Sequence, residues 1–280
     1  MKIRAIEMDE LDQATELLQE GFGSISKEHM KKRLLKMFHY ANQFGHSQIG
    51  YIASNNDGDI GITLALPFTR SIYEQEPINT VNFAAFYIKP KFTWMASLFL
   101  RKVMTEKDID YVDVTASASM RKINQHLGFV NSAIGLLVIP LVASAIRPFR
   151  MAKIRKFNPK KTSSFSAETT KILEDHIDLG CHVLTIERDG EIFPVVLRPK
   201  KRGHMPTARV ILAKDRDLIL NSLGSLSRYL LAHGFFFLEM DVFEKPELWE
   251  TSLRKRSAPI QSTKPKNTIA IDHTYTELVY

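Results

Sequence analysis

The sequence predicts an α/β fold, of the α+β kind with mixed sheets, arranged as two modules in tandem along 280 residues. Strand and helix periods alternate along the whole chain, and one hairpin signature occurs twice, at Asn55 and again 132 positions later at Glu187. A stretch rich in Lys, Ser, Pro and Thr lies between the two copies, as a connector between modules would. The 44% hydrophobic and 25% charged fractions are those of a folded globular protein and set aside collagen-like, disordered and low-complexity chains.

The elements follow in order. Ile3 to Ile6 reads as a strand, after which Asp9 opens a helix with Leu11, Ala14, Leu18 and Phe22 on one face. A second helix, capped by Ser24 or Ser26, carries Met30, Leu34, Met37, Phe38 and Ala41. Tyr51 to Ser54 and Ile60 to Leu66 then flank Asn55-Asn56-Asp57-Gly58, a hairpin turn whose Asn and Gly tolerate positive φ. Val81 to Ile88 is a strand ended by Pro90, Trp94 to about Lys107 is helical, and Tyr111 to Thr115 is a strand. Ser117 or Ser119 caps a helix carrying Met120, Ile123 and Leu127, which Gly128 stops.

The second half repeats part of this order. Glu187-Arg188-Asp189-Gly190 stands in a hairpin within Val183 to Arg198, followed by a strand at Arg209 to Ala213, a helix at Leu218 to Leu231 and a strand at Phe235 to Val242. A last strand is expected at Tyr275 to Tyr280. The expected domains are residues 1–149, a basic linker at 150–167, and a second, degenerate module at 168–280.

The net charge of +7 has a local source. Arg147, Arg150, Lys153, Arg155, Lys156, Lys160 and Lys161 occur without an intervening acid, which reads as a connector or an anion-binding face. Nothing else in the chain supplies base readout, so no specific nucleic-acid partner is expected. The apolar stretch Ala133 to Ile146, interrupted by Pro140, is too short to cross a membrane and reads as a buried strand and a packed segment. The basic run after it leaves contact with an anionic membrane surface as a weaker reading. A single cysteine, Cys181, excludes an internal disulfide, and with acidic residues interrupting the N-terminus as an export signal the expected location is cytoplasmic.

The run Asp110-Tyr111-Val112-Asp113-Val114-Thr115-Ala116-Ser117-Ala118-Ser119, leading into Ile123-Asn124-Gln125-His126-Leu127-Gly128-Phe129, together with the strand end Ile88-Lys89-Pro90, resembles the GCN5-related N-acetyltransferase (GNAT) superfamily over roughly residues 1–135. The loop Lys91 to Ser97 and the Ala-Ser-Ala-Ser run resemble a divergent acyltransferase-like branch of it. The resemblance implies transfer of an acyl group from acetyl-CoA or another acyl-CoA to a small-molecule amine or amino sugar, with no metal. It also implies that backbone groups at Phe86, Tyr87 and Ile88 pair with the donor's pantetheine arm. By the same resemblance Trp94, Met95, Ala96 and Ser97 form the pyrophosphate loop at a helix start. Asn124 falls where the family often has a Tyr acid, and is the candidate catalytic group at the departing sulfur. Trp94, Met95 and Ala96 stand where the family's loop carries glycines. The other function class compatible with the chain is a GNAT-like binding or scaffold protein that has lost catalysis and uses the basic linker.

Competing signals read as structure. The histidines make no His-Glu-x-x-His spacing; Asp175-His176 and His182 read as surface polarity. Gly45-His46-Ser47 lacks the second glycine of a nucleophile elbow, Cys181 reads as a buried thiol, and Phe235-Phe236-Phe237 reads as core. Asp113, Glu239 and Asp241 alternate with apolar residues on central strands. They either reach a cleft as proton acceptors or, the favoured reading, sit at strand ends in solvent.

Overall fold

The computed structural model describes residues 1–23, 25–70, 78–131, 133, 135–148, 152–160, 164–242, 247, 251–254, 260–264 and 270–279. In chain order the regular elements are β1 (Lys2–Ala5), α1 (Leu11–Gly21), α2 (Lys27–Gln43), β2 (Gly50–Asn55), β3 (Gly58–Arg70), β4 (Ile78–Ile88), α3 (Ala96–Val103), β5 (Asp110–Asp113), α4 (Ala118–His126) and β6 (Val130–Asn131). They continue with β7 (Gly135–Pro140), α5 (Leu141–Ser144), β8 (Lys153–Lys156), α6 (Ala167–Asp178), β9 (His182–Arg188), β10 (Glu191–Arg202), β11 (Met205–Ala213), α7 (Arg216–Asn221), α8 (Leu223–Ala232), β12 (Phe237–Val242), β13 (Ser252–Arg254), β14 (Gln261–Ser262) and β15 (Ile271–Asp272). The chain forms two compact units, Met1–Ser132 with Ala258–Pro265 and Leu278–Tyr280, and Ala133–Ser257 with Lys266–Glu277.

The first unit is a mixed sheet in the order β1-β2-β3-β4-β5-β14-β6, antiparallel except for the β4/β5 pair. The β2/β3 turn forms as its residues dictate, with Gly58 at φ +95° and Asn55 Oδ1 accepting from the Asp57 amide at 2.8 Å. Ser26 caps α2 by accepting from the His29 amide; Ser24, the other expected cap, lies outside the described residues. Phe83, Phe99, Leu100, Val103, Tyr111 and Phe129 share one core cluster, and the Phe83 and Tyr111 rings stack at 5.7 Å.

The second unit repeats the plan in the order β8-β9-β10-β11-β12-β7-β13, with β11/β12 as its parallel pair and β15 added to β11. Asp189 and Gly190 take φ +54° and +83° in the repeated hairpin turn. The expected tandem of two α/β modules is therefore present. Each sheet receives its sixth strand out of local order: β14 enters between β5 and β6, and β7 between β12 and β13.

Several local expectations need correction. The first unit ends its main run at Ser132, and the supposed linker 150–167 contains β8, a strand of the second sheet. Lys153 and Arg155 of the basic run face Glu187 on β9 at 2.9 and 3.6 Å, so part of that charge is neutralised within the sheet. Positions 149–151 and 161–163 lie outside the described residues. The helix expected at Leu218 to Leu231 is divided into α7 and α8 at Ser222. The strand expected at Tyr275 to Tyr280 is a 3₁₀ turn over Thr276–Val279, because Tyr275 takes φ +61°, a left-handed conformation that ends an extended run.

Candidate functional site

Two strands that begin side by side and then part make the site of the first unit. The parallel β4/β5 ladder runs from Thr80 opposite Asp110 to Phe83 opposite Asp113 and stops there. On its other edge β4 pairs Phe83 with Ala65 and Phe86 with Thr63, so β4 uses one more residue than β3 across this step. Such a bulge bends the strand that carries it. Ala84 to Ile88 is thereby left without a β5 partner, and Thr115 Oγ1 donates to the Ala84 carbonyl at 3.1 Å across the opening.

The opening leads into a cavity of about 570 Å³, a size suited to a small ligand. Phe83 to Ile88 form one wall, Asp113 and Thr115 to Ser117 another, and Leu18, Met30, Leu34 and Met37 of α1 and α2 a third. Gly21, at the end of α1, sits so close that a Cβ there would meet the Tyr87 ring at 2.5 Å. Tyr87 thus needs a glycine on α1 in order to lie where it does. Arg33 of α2 also lines the cavity, and partial burial pushes its guanidinium below its ordinary pKa.

Asp113 is the acid of the site. It is buried, and loss of hydration raises its pKa above the usual carboxylate value, against the opposing effect of its hydrogen bonds. Oδ2 accepts from Asn124 Nδ2 at 3.0 Å and Oδ1 from the Thr115 amide at 3.0 Å. Asn124 also donates to Gln261 Oε1 on β14 at 3.0 Å. The end of α4 fixes Asn124 in turn: with Gly128 at φ +90°, the Phe129 amide bonds to the Asn124 carbonyl and the Gly128 amide to that of Gln125.

The residues expected at the site separate into two sets. Phe86, Tyr87, Ile88 and Ala96 line the cavity. Trp94, Met95, Ser97 and Asn124 do not. Trp94 is 76% exposed, so it does not fill a phosphate cradle, and Met95 is packed in the core. The loop is a 3₁₀ turn, Pro90–Met95, that runs directly into α3, and the Ala96 amide is already bonded to the Thr93 carbonyl. A row of unpaired amides at Met95, Ala96 and Ser97 is therefore not formed. Asn124 is 0% exposed, and its Nδ2 donates to Asp113.

The three central carboxylates, expected at strand ends in solvent, are all buried. Asp113 carries a local signal as the last residue of β5, whereas Gln261, 137 residues from its Asn124 partner, carries none. In the second unit Glu239 meets Lys200 at 2.7 Å, Arg202 at 2.9 Å and Arg209 at 3.8 Å. Asp241 is bonded to Arg209, and His273 Nε2 lies 3.4 Å away. Asp175 and His176, expected at the surface, are also buried. Among the described residues no cluster of metal-binding side chains occurs, and no helix is long and apolar enough to cross a membrane. Cys181 is buried, as expected. Of the three phenylalanines, Phe235 is core but Phe236 is exposed.

No protein-family model and no curated protein matches the sequence. Solved structures do match the fold. A GCN5-related N-acetyltransferase from Anabaena variabilis ATCC 29413 superposes with a TM-score of 0.62 at 9% identity, covering 93% of this chain and 72% of the other. One from Kribbella flavida gives 0.55 at 9%, covering 93% and 70%. Eis1 from Mycobacterium abscessus gives 0.52 at 10%, covering 93% and 73%.

Proposed function

Starting from the fold of GCN5-related N-acetyltransferases, we propose that the first unit transfers an acyl group from an acyl-coenzyme A to an amine of apolar body. The observation that carries this reading is the β4 edge beyond Phe83, which among the described residues has no strand partner and only the Thr115 hydroxyl on the Ala84 carbonyl, opening beside buried Asp113. A strand edge without a neighbour presents backbone donors and acceptors, which suits the amides of a pantetheine arm. At the thioester carbonyl of the bound donor the amine nitrogen forms the new amide bond, the carbon–sulfur bond breaks, and coenzyme A leaves as its thiolate.

The chain's own residues do the rest. Asp113 accepts the proton that the amine must lose, and its raised pKa makes it a better base than an ordinary aspartate. Asn124 and the Thr115 amide hold its two oxygens in place. The apolar wall of Leu18, Met30, Leu34 and Met37 keeps water away and favours the neutral form of an amine. An amino sugar would leave hydroxyls unpaired against that wall, so an amine with a hydrocarbon body fits better. The non-catalytic reading applies to the second unit, where each central carboxylate is held by cations.

A thermal shift with acetyl-CoA and a longer acyl-CoA tests donor binding. At one hundred times its Kd a ligand specific to the folded state stabilises it by about 2.7 kcal/mol. A shift, followed by acylation of a hydrophobic amine and not of glucosamine, is the expected result. No shift with either donor overturns the proposal.

A further inference from the structure

The second unit opens its sheet at the corresponding place and then closes it with its own chain. Its parallel ladder runs from Thr207 opposite Phe237 to Arg209 opposite Glu239 and stops. On the other edge, Leu197 pairs with Val210 and Val196 with Leu212, so β11 carries one extra residue just past the ladder, as β4 does. The stretch Val210 to Ala213 therefore corresponds to Ala84 onward in the first unit. In the second unit this edge is occupied. β15 pairs antiparallel with it, Asp272 opposite Leu212 and Ile271 opposite Ala213, and the His273 amide donates to the Ile211 carbonyl at 2.7 Å.

A buried aromatic anchors this short strand. Asp272 Oδ1 accepts from the Thr274 amide at 3.2 Å and the Thr274 hydroxyl at 2.8 Å, a tight turn that leads into Tyr275. Tyr275 is 0% exposed, its ring 4.8 Å from that of His176. Its hydroxyl donates to Asp175 Oδ2 at 2.9 Å and its amide to His176 Nε2 at 3.2 Å. That amide bond requires an unprotonated Nε2, and His176 Nδ1, 2.6 Å from the Ile172 carbonyl, then carries the proton. Each of these two α6 side chains thus takes one hydrogen bond from the inserted segment.

We propose that β15 and Tyr275 take the place of a donor's pantetheine arm in the second unit and close that unit to acyl-coenzyme A. The proposal rests on the functional reading above only for the identity of the displaced arm. A strand tethered to the sheet it pairs with competes at an effective concentration on the order of millimolar, so a free ligand does not displace it readily. Of the two parted strand pairs, that of the first unit is then the one left open among the described residues.

Hydrogen exchange on the full chain, with and without 1 mM coenzyme A, tests this. Ile211 to Ala213 should exchange slowly in the free protein and be unchanged by coenzyme A, whereas those amides of Ala84 to Ile88 that face away from β3 should exchange fast and slow down on its addition. Fast exchange at Ile211 to Ala213 in the free protein, or further slowing there by coenzyme A, overturns the closure. If those amides are slow and coenzyme A alters neither segment, the closure stands and donor binding by the first unit is what fails. Tyr275→Ser should speed exchange at Ile211 to Ala213 at least tenfold, while Tyr275→Phe, which keeps the ring, should change it much less. Equal behaviour of wild type and Tyr275→Ser would also overturn the anchoring role.

Discussion

The two units share a strand order and a bulge just beyond a short parallel ladder, yet they treat the gap that follows in opposite ways. In the first, the gap leads to a cavity and its carboxylate is held by neutral donors, Asn124 and a backbone amide. In the second, β15 fills the gap and the carboxylates are held by Lys200, Arg202 and Arg209. The backbone alone therefore does not decide what such a sheet does. A buried acid with neutral partners keeps a raised proton affinity, whereas one paired with cations is committed to holding the structure together.

The sharpest way to break this contrast is Asp113→Asn. An amide cannot take a proton from the amine, so turnover should fall by about 10²–10⁴-fold. Donor affinity should be unchanged, and steady-state kinetics beside a binding titration separates the two. Next in size, Arg209→Leu leaves Asp241 and Glu239 short of their shared cation in the buried core. The second unit should lose about 3–5 kcal/mol, read as a fall in the urea midpoint. A loss of that size from the corresponding neutral site, through Asn124→Ala, would erase the distinction drawn here.

Asn124→Ala should act mainly on pH dependence. Its amide stabilises the ionised form of Asp113, so removing it raises that pKa further. The base works when ionised, and activity is lost as pH falls through its pKa; the acidic limb of kcat against pH should therefore move to higher pH. A limb that stays in place or moves down would rule out the arrangement. The smallest effect is expected from Lys153→Ala on β8, whose side chain is 60% exposed in its pair with Glu187. The urea midpoint should stay within error, since exposed pairs add little.

Much of the scaffold is readable from local sequence because it depends on period and turn chemistry. The alternation around Asn55 to Gly58 and around Asp189-Gly190 places both hairpins, and Gly128 places the end of α4. The site is only partly readable. Phe86, Tyr87, Ile88 and Ala96 follow from the family resemblance and do line the cavity. Asn124 does not line the cavity, because its Nδ2 donates to both Gln261 and Asp113 and the side chain lies in the interior. Trp94 misleads because its bulk suggests obstruction, while the 3₁₀ turn carries it outward. Tyr275 has a strand-like neighbourhood in sequence and is turned aside by an Asx contact that period analysis does not register.

The late arrival of β14 matters for the order in which this protein is made. Gln261 and Ser262 pair with Asp113 and Val112 on one side and with Asn131 and Val130 on the other. Ser262 Oγ and the Lys264 amide also donate to buried Asp110. Until the ribosome has released this segment, the first sheet has no strand between β5 and β6, and the support behind Asp113 lacks its last member. Of the two units, the one whose main run comes earlier in the chain is thus completed only after most of the other has been made. A nascent chain halted before residue 260 would hold the cavity-lining residues of the first unit without the strand that sets its acid in place.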